Sequence, residues 1–183
     1  DGTLMTMEYA RRYPILTVAC GPTSWCLVGG VVAAAGNSVS TSVRDCHNKV
    51  SRMNIDLHMK SGNGTYGAVG GVCALSLSSL EDCSNSADIT LASYKKNAYF
   101  GGVAGYHEYF EARSCNNSGD LVLSLEEPAG SNQSSAVLFG GVLGFAKKNI
   151  YYSNNSGSMT LTGGRAGKTY YVGGILAQTN SGV

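Results

Sequence analysis

Four short segments of the chain alternate apolar and polar residues with a period of two. They are Met53-Asn54-Ile55-Asp56-Leu57, Asp88-Ile89-Thr90-Leu91, Asp120-Leu121-Val122-Leu123 and Ser158-Met159-Thr160-Leu161. Alternation over four to six residues is the signature of a half-buried β-strand. Each segment follows a polar unit at a fixed distance: Cys46-His47-Asn48, Cys83-Ser84-Asn85, Cys115-Asn116-Asn117 and Ser153-Asn154-Asn155. Between these units falls a third phrase, Gly-Gly-apolar, at Gly29, Gly70, Gly101, Gly140 and Gly173. Its start-to-start spacings are 41, 31, 39 and 33 residues. A fixed order of phrases with variable spacing marks a stacked repeat whose loops accept insertions. Three strand segments recur per repeat: one around Gly-Gly, one before the Cys slot (Val43-Arg44-Asp45, Leu80-Glu81-Asp82) and the alternating one. The pattern predicts an all-β fold, a right-handed parallel β-helix (solenoid) with three short strands per coil. About four full coils plus partial end coils are expected.

A length of 183 residues suits a single domain. Residues 1–24 are expected to form an N-terminal partial coil or cap, with Ile15–Ala19 as a strand and Met5–Arg12 as a short helix. Residues 25–183 form the β-helical repeat domain, read as a fragment of a longer array. Open solenoid ends expose unpaired backbone, so end-to-end self-association is among the expected contacts.

The repeated slots have physical readings. Asn48, Asn85, Asn117 and Asn155 are expected to stack as a hydrogen-bonded ladder at one corner. Gly119 and Gly157 are read as supplying positive φ there, so that Ala87 and Val50 in the same slot imply different turns in the first coils. Gly-Gly marks a bend or a close approach of backbone. Cys46, Cys83, Cys115 and Ser153 share one slot, which reads as a small semi-buried packing ladder. Coil spacing of about 4.8 Å also lies within disulfide Cα range, so a Cys46–Cys83 bridge stays open, as does Cys20–Cys26. Arg44, Glu81, Arg113 and Tyr151 would form an outer column in register. A corner or bulge near Asp45 and Asp82 would reconcile the strand with its Cys, and Asp45 and His47 share parity for a hydrogen bond.

Composition narrows function by exclusion. Charged residues are 14% of the chain against a usual value of about 25%. A net charge of +1 with mixed signs gives no basis for a nucleic-acid partner. No apolar run reaches the roughly 20 residues of a membrane-spanning helix. The scattered His and Cys residues contain no Cys-x-x-Cys, so neither metal nor cofactor is expected.

The richest chemistry lies in Tyr106-His107-Glu108-Tyr109-Phe110-Glu111-Ala112-Arg113, but consecutive residues point to opposite faces. No Gly-x-Ser-x-Gly, His-Glu-x-x-His or carboxylate cluster accompanies it, and no catalytic residue is assigned. Phe100, Phe139 and Val172 are expected in the core, and Tyr106 and Phe145 occupy matched slots suited to stacking. A Tyr-rich rim and the loops before Gly-Gly (Ser93–Ala98, Glu126–Ala136, Gly163–Thr169) are the expected binding surface. Its candidate residues are Tyr94, Lys95, Lys96, Tyr106, His107, Tyr109, Glu126, Glu127, Asn132, Arg165 and Lys168. Sequons stand at Asn63, Asn116, Asn132 and Asn154.

With these units laid out, Gly-Gly-apolar followed by Cys-x-Asn-x-Gly-x-apolar resembles the GLUG-type and related repeats of bacterial cell-surface proteins. The likeness is clearest in Cys83–Leu91, Gly101–Gly105, Cys115–Leu121 and Gly140–Gly144. The resemblance implies an extracellular or cell-surface location and a non-enzymatic role as adhesin-like module or spacer. Its partner would be a host or microbial glycan or a surface protein. A polysaccharide lyase or glycosidase on the same scaffold is the alternative, with His107, Glu111 and Arg113 as its residues.

Overall fold

The computed structural model describes residues 26–36, 42–57, 66–93, 97–126, 136–164 and 168–180. All described regular structure is β, and the strands stack in parallel as a solenoid. The expected N-terminal cap, with its Met5–Arg12 helix and Ile15–Ala19 strand, lies outside the described residues.

Each rung contains five short strands, shown by the third rung. Asn97–Gly101 belongs to sheet A, Ala104–His107 to sheet B, Ala112–Arg113 to sheet C, Asn116–Asn117 to sheet D and Leu121–Leu125 to sheet E. All three expected segments are strands. The Gly-Gly segment is divided in two by its glycines, and the Asn pair adds a two-residue ladder of its own. Sheets A and B hold five strands and sheets C, D and E four. Four complete rungs are therefore followed by part of a fifth. Every recurring slot meets its own kind: Gly70 pairs with Gly101, Asn85 with Asn117, Ile89 with Leu121, and Phe100 with Phe139.

Two cores run along the rod. One joins sheets A and E through Val69, Phe100, Phe139, Ile89, Leu91, Leu121 and Leu123. The other joins sheets B and C through Val72, Cys73, Val103, Val142, Leu80 and Ala112. Phe100 and Phe139 are fully buried and stack with centroids 5.0 Å apart and planes 1° apart. Val172, the next residue in that column, is instead 54% exposed, because its strand is the last of sheet A.

Sheets A and B lie back to back. A Cβ at Gly105 would sit 2.7 Å from the backbone of both Tyr99 and Val69. The chain reverses at Gly-Gly to achieve this. A Cβ on the first glycine would meet the carbonyl oxygen three residues on, at 2.0 Å for Gly101 and Ala104. Real Cβ contacts do not approach so closely, so the turn admits no side chain.

The second glycine explains why the two phrases travel together. A Cβ on Gly102 would lie 2.5 Å from the amide carbon of Asn117 in its own rung. The same relation joins Gly30 to Asn48, Gly71 to Asn85 and Gly141 to Asn155. Glycine thus clears the space in which the ladder stands. Asn48 donates from Nδ2 to Asn85 Oδ1 at 2.9 Å, Asn85 to Asn117 at 2.8 Å, and Asn117 to Asn155 at 2.8 Å. The second Nδ2 proton goes to the carbonyl two residues on, at Ala87, Gly119 and Gly157. Asn48 is the exception, for its second contact is Met53 Sδ at 3.0 Å.

The left-handed corner falls elsewhere than the glycines of this turn suggested. Asp45, Asp82, Ser114 and Tyr152 have φ of 51°, 51°, 53° and 52°, each just before the Cys slot, as a corner there requires. Gly119 and Gly157 are not in the left-handed region. They provide clearance, since a Cβ at Gly119 would meet Ala87 O at 2.0 Å. Ala87 makes the same bond as Gly119, so the second rung turns as the third does.

Candidate binding seam and edge

Where sheets A and B meet, four aromatic rings gather in one seam. Tyr99 is in register with Ala68 and Leu138, and Tyr106 with Leu75 and Phe145. Period-two alternation sends Phe100 into the core and Tyr99 to the opposite side of the same strand. Tyr106 and Phe145 stack as their matched slots suggested, 4.9 Å apart with planes at 19°. Tyr99 meets them edge-on at 5.1 and 5.9 Å, and Tyr66 stacks on Tyr99 at 6.2 Å. Edge-to-face and offset pairs of this kind contribute about 0.5–1.5 kcal/mol beyond burial. Tyr66, Tyr99 and Tyr106 keep part of their rings in solvent, whereas Phe145 is buried.

The electrostatics of the seam favour neutral phenols. Burial pushes the Tyr99 hydroxyl up to about 12, with Tyr106 and Tyr66 adding to it. Burial also raises Tyr106, and Glu108 beyond it raises it further. Glu108 is ion-paired with Lys147 across the rungs. The seam therefore presents apolar ring faces, with the Tyr99 and Tyr106 hydroxyls held protonated and one charged pair at its rim. Planar apolar faces flanked by hydrogen-bond donors suit a sugar ring or an aromatic-rich peptide.

Beside this seam runs an edge of loops. Leu57, Ser93, Leu125 and Gly163 end the strands of sheet E in mutual register. Tyr66 and Asn97 begin theirs in sheet A in register, as do Ala136 and Thr169. All four connections from sheet E to sheet A therefore leave along one edge of the rod, as their common place before Gly-Gly implied. Glu126 is exposed at the start of one connection, and Lys168 is half-buried at the end of another. Tyr94, Lys95, Lys96, Glu127, Asn132 and Arg165 lie outside the described residues.

Tyr109 is 55% exposed. His107 is fully buried and neither ring nitrogen has a hydrogen-bond partner. It faces the core while Tyr106 faces the seam, so the two do not form one surface. Burial lowers the His107 pKa to about 4, with the backbone at Phe110 and Glu111 opposing in part. Glu111 is ion-paired with Arg113, whose guanidinium also lies 4.5 Å above the Tyr151 ring. The three residues of the lyase alternative are thus divided between core and surface.

The outer column is in register, and its charges pair once between rungs and once within a rung. Arg44 meets Glu81 at 2.5 Å, whereas Arg113 takes Glu111 of its own rung. His47 does not bond Asp45. Its Nδ1 lies 2.8 Å from Ser84 Oγ of the next rung. Asp88 and Asp120 accept backbone N–H groups of the following rung, Asp120 at 3.0 Å and Ser158 at 2.8 Å. The Ser158 amide holds the Asp120 carboxyl below its ordinary range.

The Cys slot is a ladder of hydrogen bonds. Cys46, Cys83, Cys115 and Ser153 each donate to the carbonyl two residues back, at 3.3, 3.3, 3.5 and 3.0 Å. This shared bond explains why serine fits where cysteine stands. Cys20 lies outside the described residues. Among the described residues no three His, Cys, Asp or Glu side chains are grouped to hold a metal ion, and no helix is long and apolar enough to cross a membrane.

Neither the protein-family models, nor the curated proteins, nor the solved structures give a match to this chain.

Proposed function

We propose that this chain is a non-catalytic repeat module of an extracellular or cell-surface protein, of the kind its GLUG-like phrases suggest. Its role is to bind a glycan or a surface protein along the aromatic seam and the adjacent loop edge. The observation that carries this reading is the Tyr66–Tyr99–Tyr106–Phe145 cluster, where three half-buried tyrosines join a buried phenylalanine beside four connections on one edge. The Asn and Cys slots are committed to hydrogen-bonded ladders. A rod with committed internal polar groups keeps its shape while presenting a variable edge.

The test is a panel of host and microbial polysaccharides and mucin glycoproteins, scored for both retention and product release. Retention without new sugar ends, lost on Tyr106→Ala, is the expected result. Release of reducing or unsaturated ends would replace the reading with a lyase or glycosidase. Neither signal would leave the rod as a spacer.

A further inference from the structure

Cys46, Cys83 and Cys115 stand above one another in successive rungs, each directly after a left-handed corner. The Ser84 amide bonds Cys46 O at 3.0 Å and the Asn116 amide bonds Cys83 O at 2.9 Å, which fixes their register. Cys83 Sγ lies 3.4 Å from Val43 O and Cys115 Sγ 3.8 Å from Leu80 O, each in the preceding rung. Accessibility is graded along the column: Cys46 is partly exposed, and Cys83 and Cys115 are fully buried. Ser153 ends the column in the fourth rung. A rung spacing of about 4.8 Å lies within the Cα range of a disulfide.

We propose that Cys46 and Cys83 are a thiol–disulfide modification site, joined by an inter-rung disulfide when the protein meets a small disulfide oxidant such as oxidised glutathione. The partly exposed Cys46 is the entry point. Its thiolate attacks one sulfur of the oxidant, the oxidant's S–S bond breaks, and one glutathione leaves with the electron pair and takes up a proton. Cys83 then gives up its proton and attacks Cys46 Sγ, which forms the protein disulfide and displaces the second glutathione. Two protein thiols lose two electrons and two protons, and one external disulfide becomes two thiols. Closing the bond takes both sulfurs from their carbonyl partners. External thiols reverse the bond by the same exchange, so the latch is reversible.

The intact chain is incubated with dithiothreitol or with oxidised glutathione, alkylated, and mapped by non-reducing peptide mass spectrometry. A Cys46–Cys83 linked peptide, absent after dithiothreitol, is expected. Cys46→Ser should abolish it and Cys115→Ser should retain it; the Ser153 rung shows that serine fits the slot. If Cys46→Ser does not fold by circular dichroism, Cys83→Ser serves instead and should leave glutathione stranded on Cys46. Three results would overturn the proposal: fully free thiols after oxidation, a stable Cys46–glutathione adduct in the unmutated chain, or Cys46 linked to another cysteine.

Discussion

Gly102 is closed in by Asn117 and by the next rung: a Cβ on the glycine would lie 2.5 Å from the amide carbon of the asparagine and 2.3 Å from Gly141 O. The two most conspicuous phrases of the chain are thus one structural device, a vacancy and the side chain that fills it. Gly174 occupies the same slot in the last rung, and nothing lies within 4 Å of its Cβ position. Gly102→Ala should therefore cost roughly 2–3 kcal/mol, the upper range for overpacking, whereas Gly174→Ala should lie within about 0.5 kcal/mol of the parent. Urea unfolding of the two variants checks this. Equal effects would mean that glycine serves the turn alone.

Asn117 uses both amide protons, on Asn155 Oδ1 and Gly119 O, and accepts from Asn85. Asp at this position keeps the acceptors and loses both donors, with two buried oxygens left opposed. Asn117→Asp should destabilise by about 2–4 kcal/mol at neutral pH, from unsatisfied buried groups and an added charge. Burial raises a carboxyl pKa, and protonation restores one donor. The loss relative to the parent should therefore shrink as pH falls towards 4, read from thermal unfolding across a pH series.

Tyr152 holds a left-handed backbone with its side chain 83% exposed, in a corner where the first two rungs place Asp45 and Asp82. Left-handed backbone costs an ordinary L-residue about 1–2 kcal/mol, and Asn or Asp tolerate it better. Tyr152→Asn should raise stability by roughly 1 kcal/mol and move the thermal midpoint up by a few degrees. No gain would show that contacts of the tyrosine ring, such as that with Tyr151 at 6.3 Å, offset the backbone cost.

His107 introduces an acid dependence. Its pKa is about 4 in the folded chain against 6.5 unfolded, so below pH 6.5 the unfolded chain takes up a proton that the folded chain refuses. Stability from this group is complete above pH 6.5, falls as pH drops, and levels off below pH 4. The loss amounts to about 3 kcal/mol for a shift of this size. His107→Leu should flatten the profile between pH 4 and 6.5. An unchanged slope would place the acid sensitivity in other groups.

Much of this was legible in the sequence because stacking repeats each decision. The Asn ladder, the register and the Tyr106–Phe145 stack follow from slots aligned across rungs. What escaped were contacts between different slots of one rung. Gly102 against Asn117 is such a contact, and spacing alone does not bring them together. The left-handed corner escaped because Asp, Ser and Tyr occupy it in place of glycine, and glycine at 119 and 157 drew the assignment two residues past Asn. The burial of His107 was not legible, because it and Ala104 are both buried three residues apart, which period-two alternation does not predict. The partners of the seam were less legible, since aromatic residues at an edge fill a rod as readily as they bind a ligand.

The most direct test of the structural account is hydrogen exchange at the side-chain amides of Asn85 and Asn117, followed by NMR with asparagine-selective labelling. Both amides are buried and donate with both protons, so their exchange should be slowed by orders of magnitude relative to exposed Asn116. A nuclear Overhauser contact between the two amide groups should accompany the protection. Exchange of Asn85 and Asn117 at the rate of Asn116 would contradict the ladder, and with it the rung register on which seam, corner and thiol column all depend.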